Sequence, residues 1–294
     1  MPKAPHDPLV RSREVRRVLV QVLVVNLAVV VLKVFAFLSS NALSVAAEVM
    51  HTTLDAANNV LALAIAHVAA QEPDEQHPYG HRKFETLGAL LLAGVLSITV
   101  FELFTAALRR IAADVPPRVV ATPLTIGIMV IAILINLFVT AFESRRGRAL
   151  GSDLLLADAA HTRSDVLTTF GVLASLGVVA AGVPGVDPWI SMAVAAVIAY
   201  TGWQIIRRTV PVLVDERAVD PGRIQRVAEH HEAVFSCYGI RSRGRPGEIF
   251  AELTIALDPD LDVSRAHAIA DDVERSVALE VRAREVVVHV EPVG

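Results

Sequence analysis

Apolar positions in this chain fall in long unbroken runs, with little of the alternation that marks a half-buried strand. Crossing a hydrocarbon core about 30 Å thick takes roughly 20 mainly apolar residues. Six stretches meet that length: 17–38, 42–70, 83–111, 121–143, 153–182 and 187–208. The second and fifth are long but less purely apolar. The first is too long for a secretory signal peptide, and no small-residue cleavage site closes it. Lys33 within it is explained by snorkelling near a helix end. After Arg208 the pattern changes, and 210–294 is polar and charged with no span. There 221–234 predicts an amphipathic helix with Ile224, Val227 and Val234 on one side. Residues 251–257 predict a strand closed by the turn Asp258-Pro259-Asp260. Asp262 then caps a helix carrying Ile269, Val273 and Val277, and 286–290 predicts a β-branched strand. The order helix, strand, strand, helix, strand predicts a small α+β layer. The expected organisation is an N-terminal tail over 1–16, an α-helical membrane domain over 17–209 and a soluble domain over 210–294.

Composition sharpens this picture. Of 294 residues, 53% are hydrophobic and 20% charged, against about 25% charged in an ordinary soluble domain. A net charge of −4 offers no basic surface for a phosphate backbone, so no nucleic-acid partner is expected. The single cysteine, Cys237, excludes an internal disulfide and any multi-cysteine metal site. At about 85 residues the soluble domain can form only a small core, and pairing with a second copy would stabilise it.

Loop charge gives an orientation. One side carries Lys3, Arg11, Arg13, Arg16, Arg17, Arg82, Lys83, Arg145, Arg146, Arg148, Arg207 and Arg208. The other carries Arg109, Arg110 and Arg118. Both termini are therefore expected in the cytoplasm, and the compact length favours a bacterial plasma membrane.

The candidate chemistry is a repeat. Span two contains His51-Thr52-Thr53-Leu54-Asp55 and span five contains His161-Thr162-Arg163-Ser164-Asp165. Both read H-x-x-x-D, and on a helix i and i+4 share one face. Each helix thus offers an imidazole and a carboxylate in one direction. An aspartate at the bilayer midplane costs at least ~2.5–3.5 kcal/mol, and such groups mark ion paths or proton relays. Two facing pairs supply two nitrogens and two carboxylate oxygens, a set suited to a tetrahedral divalent metal, above all Zn²⁺. Ca²⁺ and Mg²⁺ want more oxygens or retained water. Fe²⁺, Co²⁺, Cd²⁺ and Ni²⁺ remain alternatives at an N/O site. Asn26, Asn58, Asn59 and Asn136 read as packing or pore-lining groups. Glu48 and Asp158, three residues before each histidine, either share its face or sit at its boundary. Asp74, His77 and His81, in the loop before span three, form a second candidate cluster, with helical spacing expected from about Pro78 onward. H-E-x-x-H is missing, because His231-Glu232 has no second histidine. No enzyme activity is expected, and a membrane metal sensor without transport is the remaining rival.

At these motifs the chain resembles the cation diffusion facilitator family of divalent-metal/proton antiporters. The matching segments are the two H-x-x-x-D motifs and HPYGHRKFE at 77–85, and the resemblance covers nearly the whole chain. It implies six spans with cytoplasmic termini, a cytoplasmic ferredoxin-like domain and a homodimer. It implies a transport site of His51, Asp55, His161 and Asp165, in the two-histidine form of the zinc-preferring branch, with H⁺ as counter-ion. It implies a loop site of Asp74, His77 and His81, and a salt bridge between Lys83 and Asp215. In the soluble domain the family's metal positions correspond to Tyr238, Thr254, His267, His289 and Glu291, and the first two are poor replacements for histidine. His267, His289 and Glu291, joined by Glu252, are left as a weak third site, with His230, His231 and Cys237 as further candidates.

Overall fold

Inside a bilayer every backbone N–H and C=O must be satisfied within the protein, so apolar runs of this length become helices. The computed structural model describes residues 8–40, 43–113, 123–180, 187–245 and 248–294. The side chains of Lys33, Glu48 and His51 lie outside the described residues, as do Lys3 and Arg118. Six long helices come first: α1 (Pro8–Ser40), α2 (Leu43–Ala69), α3 (Lys83–Ala113), α4 (Pro123–Leu150), α5 (Asp153–Ala180) and α6 (Asp187–Leu213). By length and hydropathy alone, stretches of α1, α3, α4 and α6 qualify as membrane spans: Val10–Leu32, Lys83–Ala112, Ile126–Leu150 and Pro188–Leu213. Among the described residues no stretch of α2 or α5 meets the same measure, and these two helices carry the polar motifs. Polar groups inside a helical bundle face its interior.

The helical unit packs through small residues. Ala62, Ala66, Ala89, Ala93, Ala157 and Ala160 are buried among Leu19, Leu92, Leu96, Leu154 and Leu155. Small side chains let helices approach closely where no hydrophobic force drives them together. Gly88 is such a point, because a Cβ there would lie 2.5 Å from Ile65 Cγ2. Outward, Val24, Leu27, Val31, Phe101, Leu134 and Phe138 are exposed, as expected of a surface solvated by lipid.

Two boundaries differ from expectation. α1 begins at Pro8, inside the predicted tail, and Arg11 is buried at 5% exposure. Arg11 is therefore a packing element as well as a charge on one side of the membrane. α4 runs on to Leu150, so Arg145, Arg146 and Arg148 belong to its final turns. The connection to α5 is only Gly151-Ser152, with Gly151 at φ 58°. That left-handed conformation is cheap for glycine.

The chain divides into two units, Met1–Thr209 and Val210–Gly294. The second contains α7 (Pro221–Ala228), β1 (Ser236–Arg245), β2 (Glu248–Leu257), α8 (Val263–Val281) and β3 (Ala283–Pro292). The sheet order is β1-β2-β3, antiparallel then parallel. Parallel neighbours need a crossover, and α8 supplies it. Asp262 caps α8 by accepting from Arg265 N at 2.9 Å, as predicted from sequence. One face of the sheet and the helices enclose Ile224, Ile255, Leu257, Val273, Val277 and Val286. α7 stops at Ala228, short of the predicted 234. The reason is Glu229, whose carboxylate accepts from Cys237 N at 3.1 Å and from Gln225 Nε2 at 2.8 Å, which ties the turn to β1. Val234 still reaches the core, but from the turn.

Candidate metal centre

α2 and α5 bring three of the four predicted ligands together. Asp55 Oδ1 lies 3.5 Å from His161 Nε2, and Asp165 Oδ2 lies 4.0 Å from the same nitrogen. All three offer ligand atoms within 4.8 Å of one another. For metal–ligand bonds near 2.0–2.1 Å, tetrahedral geometry sets neighbouring ligand atoms roughly 3.3 Å apart, so a small contraction would complete the site. His161 and Asp165 are buried, and Asp55 is half-buried. The fourth predicted ligand, His51, is on α2 one turn before Asp55, but its side chain lies outside the described residues.

The surroundings suit an ion. Asn58 Nδ2 is 3.2 Å from His161 Nε2. With the amide donating, Nε2 accepts through its single lone pair, the same pair a metal ion would take. Asn26, Thr52, Asn59 and Asn136 join Asp55, His161 and Asp165 around a cavity of about 20 Å³, which holds one water-sized occupant. The asparagines are thus both pore-lining and packed, since Asn26 Nδ2 donates to Asn59 Oδ1. Asp158 is not part of the ligand cluster. Its carboxylate accepts from Asn59 Nδ2, with 3.2 Å to each oxygen.

The loop between α2 and α3 builds the second cluster. Asp74, His77 and His81 also offer ligand atoms within 4.8 Å of one another. Asp74 Oδ1 is 3.3 Å from His77 Nδ1, and Asp74 Oδ2 is 3.4 Å from His81 Nε2. The predicted helical spacing from Pro78 does not produce this, because α3 begins only at Lys83. A turn does so instead. Asp74 Oδ1 accepts from His77 N at 2.6 Å and from Gln76 N at 3.0 Å. Gly80, at φ 83°, donates its N–H to His77 O at 2.8 Å. A proline at 78 and a left-handed glycine at 80 fold the loop back so that the imidazole rings lie 4.2 Å apart. The His77 N–H, more than any other group, holds the exposed Asp74 carboxyl below the usual carboxylate range.

The soluble domain assembles no comparable cluster among the described residues. His289, Thr254 and Tyr238 occupy one register row across the three strands. His289 Nε2 lies 3.5 Å from Glu291 Oε1, and Tyr238 donates its hydroxyl to the other oxygen of Glu291. That bond raises the Tyr238 phenol above its usual range. His267 instead stands on α8 beside Asp271, 3.8 Å away. Glu252 pairs in register with Arg241. His231 Nδ1 accepts from Ala233 N at 3.2 Å in the turn after α7, next to His230. Cys237 is buried, and burial pushes its thiol up to about 11, so little of it is thiolate near neutral pH. Lys83 opens α3 in the first unit, while Asp215 in the second lies 3.5 Å from Arg243.

Sequence reasoning missed two buried features built from ionisable residues. Arg11 forms a bidentate pair with Glu85 at 2.9 and 3.1 Å, and also donates to Leu150 O and Gly151 O. Glu143 on α4 is fully buried beside Asp158. The available signal was position: Glu143 sits at the boundary assigned to the fourth span, and Glu85 closes the HPYGHRKFE motif.

With this geometry in place, known proteins give the class. Residues 19–214 match the profile of the cation efflux transmembrane domain, and residues 217–293 match that of the cation efflux protein cytoplasmic domain. The chain belongs to the cation efflux family, as a six-helix membrane domain followed by a cytoplasmic α+β domain. Among curated relatives, metal tolerance protein C1 of Arabidopsis thaliana is 29% identical over 269 residues, covering 85% of this chain and 56% of that protein. This chain therefore spans little more than half of the plant protein. The cation-efflux pump FieF of Salmonella arizonae is 24% identical over 284 residues, covering 96% of this chain and 94% of the pump. A solved MamM-CTD structure is 28% identical, covers 25% of this chain and 92% of its own, and has a TM-score of 0.24.

Proposed function

We propose that this chain exports Zn²⁺ from the cytoplasm in exchange for H⁺, by alternating access around Asp55, His161 and Asp165 with His51 as the fourth ligand. Membership of the cation efflux family supports transport of divalent metal cations. The observation that carries the finer reading is the convergence of two carboxylates and an imidazole, from two helices, on one small buried cavity. One imidazole and two carboxylates, with a second imidazole one turn away, match the N/O preference of Zn²⁺.

Binding requires neutral imidazoles and ionised carboxylates, so metal entry from the cytoplasm displaces protons. On the outward-facing side protons reclaim the same atoms and expel the metal. An inside-negative potential favours proton entry. No bond in the substrate is made or broken, so the chain acts as a carrier and not as an enzyme. The loop cluster Asp74, His77 and His81 is a second Zn²⁺ site. The protein works as a homodimer in a bacterial plasma membrane with both termini in the cytoplasm.

The test is metal flux in proteoliposomes under an imposed pH gradient, with Zn²⁺, Fe²⁺, Co²⁺, Cd²⁺ and Ni²⁺ compared singly. Gradient-driven Zn²⁺ movement exceeding the others is expected. Faster movement of another metal would overturn the zinc assignment, and metal binding with no flux would favour a sensor.

A further inference from the structure

Two carboxyl groups are buried near the metal centre without belonging to its ligands. Glu143 on α4 and Asp158 on α5 are each 0% exposed. Asp158 takes its donor from Asn59. Neither oxygen of Glu143 receives a donor from any described residue, and the polar group facing it is the Asp158 carboxyl.

The charges on the surrounding helices do not resolve this. From α1 and α3, Arg11 and Glu85 are spent on each other and on the Leu150 and Gly151 carbonyls. On α4 itself, Arg145, Arg146 and Arg148 are exposed. On the far side of Asp158 stand His161 on α5 and Asp55 on α2, with Asp165 beyond them. Two ionised carboxylates facing each other in a low-dielectric interior with no cation between them repel strongly and lose their hydration. One shared proton removes both problems. Glu143 O–H then donates to Asp158, and Asp158 keeps its Asn59 donor.

We propose that Glu143 and Asp158 form a proton-binding site separate from the metal ligands, whose proton leaves when a dication occupies the metal centre and returns when the dication departs. The link is structural. Asn59, which holds Asp158, also lines the cavity that Asp55, His161 and Asp165 share. A dication there stabilises the ionised form of the neighbouring pair. In the step, the O–H bond of Glu143 breaks and the proton passes to water through that cavity. When the metal leaves, a proton from water re-forms the bond. The inference rests on the metal centre proposed above. It adds one counter-transported proton to those displaced from the ligands.

The test uses the full chain in nanodiscs. Infrared difference spectra of the metal-free protein are expected to show a deuterium-sensitive protonated-carboxyl C=O band that Zn²⁺ removes and that Glu143→Gln lacks. Calorimetry in buffers of different ionisation enthalpy is expected to count one fewer proton released per chain saturated with Zn²⁺ in Glu143→Gln than in the native chain. Asp158→Asn provides a second variant should Glu143→Gln not yield monodisperse protein, with the same expected loss of one released proton. A band absent from the metal-free native chain overturns the proposal. So does a band unmoved by bound Zn²⁺, or an equal proton count in the variants. If the native chain binds no Zn²⁺, the metal-centre reading fails and this inference falls with it; if Zn²⁺ binds with the carboxyl band unchanged, this inference alone fails.

Discussion

Replacing Arg11 by methionine removes a guanidinium that fastens three helical junctions at once. Its Nη1 and Nη2 hold Glu85 at 2.9 and 3.1 Å, its Nε donates to Leu150 O at 2.7 Å, and Nη2 also donates to Gly151 O at 2.9 Å. The side chains of Arg11 and Glu85 are 6% and 3% exposed. Breaking such a pair from one side leaves a buried charge without its partner, which costs about 3–5 kcal/mol. The two carbonyls also lose a charged donor, at up to ~1–3 kcal/mol each if nothing replaces it. Arg11→Met is therefore expected near 4 kcal/mol or somewhat above, and Glu85→Leu near 3 kcal/mol because Arg11 keeps its two carbonyl acceptors, by the same ranges as order-of-magnitude figures. The double variant Arg11→Met/Glu85→Leu strands no charge and is expected to cost about 4 kcal/mol, no more than Arg11→Met alone. The coupling in the cycle should then reach ~3 kcal/mol. The assay is unfolding of the detergent-solubilised chain by heat and by denaturant, followed for all four proteins at matched scan rates. A double variant that costs the sum of the singles, or an Arg11→Met cost below about 1 kcal/mol, the range of an exposed pair, would refute the reasoning.

Other expected outcomes are narrower. Asp74→Ala should lower the number of Zn²⁺ ions bound per chain by one in equilibrium dialysis while leaving the intramembrane ion in place. Because the folded Asp74 carboxyl is held below its ordinary range, its contribution to the loop turn should persist above that range. It should fade only as pH falls through the lowered value, read as amide-exchange protection at His77 N. Cys237, raised to about 11 from 9, should react with iodoacetamide at pH 8 roughly 100-fold more slowly than an unshifted thiol, a factor of ten per pK unit. Equal rates in folded and denatured protein would contradict its burial. Gly244→Ala should destabilise the cytoplasmic domain by about 1–3 kcal/mol, since φ is 107° and the new Cβ would run into the Glu248 carbonyl oxygen, and a change under about 0.5 kcal/mol in domain unfolding would show that the β1–β2 approach is looser.

What the sequence disclosed depended on how local the cause was. The H-x-x-x-D repeat is a same-face signal within one helix, so Asp55, His161 and Asp165 could be named before any packing was known. That α2 and α5 bring them together is a tertiary fact, and the motif only hinted at it by appearing twice. The loop cluster was nameable by residue type, but its cause was misplaced. Helical spacing from Pro78 was expected, and the structure uses an aspartate-capped turn and a left-handed Gly80. Asp262 was legible as a cap because capping is decided within one turn. The end of α7 was not legible, because Glu229 stops that helix by reaching forward to Cys237. Arg11 was counted as a tail charge because nothing near it in sequence signals Glu85, 74 residues away. Glu143 was hidden by a span boundary drawn at 143, where α4 in fact continues for two more turns. His267, His289 and Glu291 show the converse limit of reading residue types without packing. The residue types fit, but α8 carries His267 to Asp271 while β3 pairs His289 with Glu291.

The most direct measurement is Zn²⁺ flux through proteoliposomes under an imposed pH gradient, comparing the native chain with Asp55→Ala and Asp165→Ala, each first checked for folding and dimerisation. The account predicts gradient-driven Zn²⁺ movement in the native chain and its loss in both variants. Zn²⁺/H⁺ exchange that survives in either variant would contradict the assignment of Asp55, His161 and Asp165 as the transport site.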